Sequence, residues 1–161
     1  MKIACMSIAL SALLGLVGCA PIRPLVIGDA VGPLQPLLNE SGPHGSLIVY
    51  SDTEGPVGDP GDYSPHSGYK LYSMAGKLLQ SVENRSATDG REPKTLRLGI
   101  GRYLVTASAP RVGLVSVPVV IGEEQITVVD LNQEVLPSLL VAGEQWVRLP
   151  NGQVIGSKAQ P

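Results

Sequence analysis

The stretch GRYLVTASA (residues 101–109) alternates strictly. Tyr103, Val105, Ala107 and Ala109 fall on one side of an extended chain, and Arg102, Leu104, Thr106 and Ser108 on the other. Successive side chains of a strand point to opposite faces, so this pattern predicts a half-buried antiparallel strand with Tyr103 inward. Arg102 is then expected to face solvent beside a carboxylate of a neighbouring strand, a pairing worth little.

The same signal recurs on both sides of this stretch. SLIVYS (46–51), GYKLYSM (68–74), KLLQSVEN (77–84), KTLRLGI (94–100), LVSVPVVIG (114–122) and QITVVDLNQ (125–133) are rich in β-branched residues with period two. A turn at Ala75-Gly76-Lys77 makes 68–74 and 77–84 a hairpin. SATDGREP (86–93) reads as a loop, and Gly122-Glu123-Glu124 as a tight turn. Pro118 cannot donate to a ladder, which places its strand at a sheet edge. The chain holds 19 Gly, 14 Pro, one Trp and no Phe, a composition of many turns and a light aliphatic core. About seven strands without crossover helices predict an all-β chain, an antiparallel β-sandwich. After them, EVLPSLLVAG (134–143) is an apolar connector with room for one short helical turn. QWVRL and QVIGS flank Pro150-Asn151-Gly152, a hairpin signal. An isolated hairpin is marginal in water, so it must pack on something, with Trp146 the expected anchor.

The order of these signals resembles the carboxypeptidase-regulatory-like, or transthyretin-like, β-sandwich. The residues that carry the likeness are Gly76-Lys77, Leu96-Arg97-Leu98, Gly101-Arg102-Tyr103 with Val105 and Ala107, then Val117, Val119, Gly122, Val129 and Leu131. The likeness covers roughly 45–133 and implies a Greek-key arrangement. The Gly-Tyr usual after the central strand is replaced by PRVG (110–113). It implies a fold and says almost nothing of function, since such sandwiches serve many roles.

The first twenty residues carry a different message. Lys2 is the only charge before Arg23, Ile3 to Val17 is apolar or small, and Pro21 and Pro24 follow. A basic start, a short apolar core and small residues at its end are the parts of a secretory signal. Leu16-Val17-Gly18-Cys19 resembles the bacterial lipoprotein box. In that family the cysteine sulfur receives a diacylglyceryl group and cleavage falls just before it. The alternative is an ordinary signal peptide or an N-terminal membrane helix. On the lipoprotein reading residues 1–18 are signal and Cys5 leaves with them. Cys19 carries the covalent lipid, and the mature chain has no free thiol and no internal disulfide. Ala20 stands where Asp would retain such proteins in the inner membrane, which favours the outer membrane facing the periplasm. Residues 19–45, with five prolines and four glycines over 20–45, read as a tether. The division is then signal 1–18, tether 19–45, sandwich 46–133, connector and hairpin 134–161.

Signals of catalysis are missing. No GxSxG, HExxH or phosphate-binding loop occurs, and neither His44 nor His66 sits in a catalytic motif. The chain is expected not to be an enzyme. With a net charge of −2 and 16% charged residues it offers no basic stripe for nucleic acid. The one unusual tract is the loop 51–67. Asp52, Glu54, Asp59, Asp62 and His66 could supply ligands for Ca²⁺, and Tyr63 and Tyr69 could stack on a sugar. The spacing matches no calcium loop, and a solvated acidic connector is the commoner outcome, so no metal or other cofactor is assigned. The leading expectation is a lipid-anchored cell-envelope protein acting as a structural or protein-interaction module. The alternatives are a Ca²⁺- or glycan-binding lipoprotein using loop 51–67, and an accessory subunit of an envelope enzyme or assembly machine.

Overall fold

In a computed structural model, residues 23–36, 43–53, 64–84, 92–136 and 145–159 are described. They form eleven strands: β1 (Leu25–Val26), β2 (Val31–Pro36), β3 (His44–Tyr50), β4 (Tyr69–Ser73), β5 (Leu78–Val82), β6 (Leu96–Gly99), β7 (Gly101–Ala109), β8 (Gly113–Ile121), β9 (Gln125–Asp130), β10 (Trp146–Arg148) and β11 (Val154–Lys158). The all-β expectation holds, as packed sheets consistent with a β-sandwich.

The β7–β8 hairpin is the spine. All nine residues of β7 pair with β8, from Gly101 opposite Ile121 to Ala109 opposite Gly113. Val105, Ala107 and Ala109 are buried with Val115, Val117 and Val119, while Arg102 is exposed. The register read from 101–109 is therefore the observed one. Tyr103 packs on the core only partly buried, and its hydroxyl donates to the Gly99 carbonyl at 2.9 Å. Arg102 lies opposite Val120 rather than a carboxylate.

β4 pairs with β7 and β5 with β4, giving the order β5-β4-β7-β8. The β4–β5 hairpin closes through Gly76, whose φ of 81° is left-handed and suits glycine. β9 lies between β2 and β3, and β6 pairs with β3. β2 joins the two groups. Its first residue pairs with β8, and Pro33 to Pro36 pair with β9.

Four expectations are corrected. The sandwich is mixed rather than antiparallel: β1 and β2 run parallel to β8, and β3 runs parallel to β9. The tether assigned to 19–45 does not extend through Arg23–Pro36, because β1 and β2 are ladder strands. Proline and glycine argue against a strand by their own propensity, but neighbours supply the pairing here. Val31 and Gly32 pair with Lys158 and Ser157 of β11. Close approach explains the glycines: a Cβ on Gly32 would lie 2.6 Å from the Ala159 Cα, and one on Gly156 2.5 Å from Val31. Third, β8 is not an edge strand. β1 leaves it after Val26, opposite Ser116, and β2 joins it at Val31, opposite Val119. Pro118 faces the gap between them, where a missing N–H costs no ladder bond. Fourth, Trp146 is not the anchor of the C-terminal hairpin. It is half-buried, and Val147, Leu149 and Ile155 enter the common core instead. The hairpin thus belongs to the same core as the sandwich rather than to a separate unit. Of the connector 134–143, residues 137–143 lie outside the described residues.

Candidate functional site

Leu16, Val17, Gly18 and Cys19 lie outside the described residues, as do Glu54, Asp59, Asp62 and Tyr63. Asp52 and His66 are described, at the two ends of the acidic loop. There β3 ends and the chain returns toward β4, and the two ends are clasped together. The Ser67 N–H donates to the Asp52 carbonyl at 2.7 Å, the Ser51 hydroxyl donates to the Ser67 carbonyl at 2.6 Å, and Thr53 bridges His66. The Asp52 carboxylate accepts the Thr53 N–H at 2.9 Å.

His66 turns inward. It is 1% exposed, its ring stands edge-on to Tyr50 with centroids 5.6 Å apart, and Nδ1 lies 2.7 Å from the Ser51 carbonyl. A carbonyl only accepts, so Nδ1 carries the proton. Nε2 is left facing the Glu134 carboxylate at 3.5 Å. The imidazole thus serves the interior of the clasp.

Asp130 closes the far side of this seam. At the end of β9 its fully buried carboxylate accepts the N–H groups of Asn132, Glu134, Val135 and Leu136, at 2.9–3.2 Å. Asn84 ties a third segment in. Its amide donates to the Val49 carbonyl and the Ser51 hydroxyl, and its oxygen accepts the Lys94 N–H. Burial raises the Tyr50 phenol above its ordinary pKa, and the nearby carboxylates of Glu92, Asp130 and Glu134 push it the same way.

Tyr69, weighed above as a sugar-stacking ring, is 3% exposed and part of the core. It presents no face to a glycan. Among the described residues no three His, Cys, Asp or Glu side chains gather where they could hold a metal ion. Asp130, Glu134, Asn84 and Tyr50 are the seam residues that sequence reading missed. A faint signal exists for Asp130, because Asp at the end of a strand favours a turn capped by its own side chain.

The seam's donors and acceptors are spent largely on backbone. That is the arrangement of a structural clasp. A separate, open groove of about 760 Å³ lies on the outer face of β4, β7 and β8, bordered by Pro24, Tyr72, Leu104 and Leu114. Among the described residues no helix is long and apolar enough to cross a membrane. Comparison of the chain with protein-family models, with curated proteins and with solved structures finds no match.

Proposed function

We propose that this chain is a lipid-anchored protein of the bacterial cell envelope, held at the outer membrane facing the periplasm through Cys19, and that its β-sandwich is a non-catalytic structural or protein-interaction module. The observation that carries the reading is Leu16-Val17-Gly18-Cys19 at the end of an apolar run. Small residues before a nucleophilic thiol suit acylation and cleavage there. The clasp at Tyr50, His66 and Asp130 supports the non-catalytic part, because its polar atoms bind the chain to itself. The likeness of 45–133 to transthyretin-like sandwiches fits a module that presents a surface.

Labelling cells with radioactive fatty acid tests the anchor. Wild-type protein should carry label and fractionate with membranes, and Cys19→Ala should lose both. Label retained on Cys19→Ala would overturn the reading.

A further inference from the structure

The described chain begins at Arg23, four residues after Cys19, and β1 begins two residues later. An extended chain spans at most about 3.6 Å per residue, so Val26 lies within about 25 Å of Cys19. A lipid on Cys19 therefore cannot stand the domain off by the length of a 27-residue tether. It holds β1 close to the bilayer.

β1 borders the outer face of the β5-β4-β7-β8 sheet. The observed register lines up Pro118, Leu104, Tyr72 and Leu78 as one apolar row across four strands. Val26 pairs with Ser116, beside this row, and is 68% exposed. Leu78 and Leu114 are exposed as well. Lys70 and Arg102 rise from the same face, on either side of the row. Glu83 at the end of β5 is the acidic group lining the groove. Apolar side chains flanked by cations suit the interface of an anionic bilayer, where the ring and aliphatic groups enter and the cations meet phosphate.

Resting on the lipoprotein reading, we infer that this sheet face is a second membrane contact: the anchor delivers β1 to the bilayer, and the face around Val26 and the Leu104–Tyr72 row lies against anionic phospholipid. The domain is a membrane-lying module rather than a tethered one.

The test uses full-length lipidated protein in vesicles of phosphatidylethanolamine and phosphatidylglycerol, with mass spectrometry of the N-terminal peptide to establish acylation of Cys19. A fluorophore is placed at Val26→Cys or at Thr95→Cys, an exposed site beside β6 in the other sheet. Brominated lipids should quench the label at position 26 at least about threefold more than at position 95. Lys70→Ser with Arg102→Ser should reduce that contrast on anionic vesicles. Equal quenching at the two sites with Cys19 acylated would overturn the inference, leave the anchor standing and release the face for a protein partner. Absence of acyl groups on Cys19 would overturn the anchor reading and this inference with it.

Discussion

The apolar layer around β7 and β8 and the polar seam at Tyr50, Ser51, His66 and Asp130 adjoin each other, and they hold the chain by different means. In the layer, Val105, Ala107, Val115, Val117 and Val119 are buried and have no polar side-chain atom to satisfy. Their contribution follows area, about 1.5–3 kcal/mol for a fully buried Val or Leu, and does not depend on direction. Side chains of similar volume can replace one another there. The seam is held mainly by hydrogen bonds, each with one donor and one acceptor. Removing one partner leaves the other unsatisfied wherever it is shielded from water. Loss in the layer is therefore graded by volume. Loss in the seam is set by how many groups one atom serves.

The sharpest break of that contrast is at Asp130, which serves four N–H groups. Asp130→Ala orphans all four and should cost about 3–5 kcal/mol, more than truncating any one valine of the layer. Asp130→Asn keeps one acceptor oxygen and should recover part of the loss. Urea unfolding at constant m-value measures both. A loss from Asp130→Ala below that of Val117→Ala would show that the seam is held by packing instead.

Tyr103 sharpens the layer's side. Its ring joins the core but is only partly buried. Tyr103→Ala should therefore cost about 2–3 kcal/mol, below the 3–5 of a fully buried aromatic. Arg102→Ala, one residue away on the opposite face, should stay within about 0.5 kcal/mol. Comparable effects from the two substitutions would mean that the faces of β7 are not distinguished energetically.

That pair was legible in the sequence because everything it depends on is local. The alternation of 101–109 sets the faces, and β8 follows within four residues. β2 was not legible. Its partners, Val119 of β8, Gln125 to Thr127 of β9 and Ser157 and Lys158 of β11, all lie far along the chain, and the signals within 31–36 are proline and glycine. Pro118 misled for the same reason, since the gap it faces is set by where β1 ends and β2 begins. In the candidate loop, the sequence marked Asp52 and His66 as residues of interest, but their roles come from Ser51, Ser67 and Glu134. Asn84 reaches Val49 across 35 positions. No short-range pattern records such a bond.

His66 gives a smaller effect than Asp130 because one donor is at stake. His66→Phe keeps an aromatic ring beside Tyr50 and removes the Nδ1 hydrogen bond to Ser51. It also removes Nε2, which has no hydrogen-bond partner. The net cost should be about 1–2 kcal/mol, mainly from the Ser51 carbonyl left without that donor. Proteolysis within 54–63 should quicken if the clasp loosens. An unchanged cleavage rate together with unchanged stability would remove His66 from the clasp.

Tyr69 carries the smallest expected change at neutral pH, and it tests the rule of the layer on a polar atom placed inside it. The ring is packed in the core, but the buried hydroxyl has no hydrogen-bond partner. Tyr69→Phe removes an unsatisfied group and keeps the ring, so stability at pH 7 should be equal or higher by up to about 1 kcal/mol. The alkaline limb supplies a second readout. Burial raises the Tyr69 phenol above its ordinary range, so the folded chain keeps a proton that the unfolded chain releases from about pH 10 upward. The unfolded state then binds fewer protons, and stability falls as pH rises through that window. Tyr69→Phe should flatten this fall without abolishing it, because the Tyr50 phenol is raised too and acts in the same direction. Chemical denaturation at pH 7 and across pH 9.5–11, at about half-unit steps, would follow both effects. A clear loss at pH 7 would mean that the hydroxyl has a partner in solution, and the layer would then share the directional character of the seam.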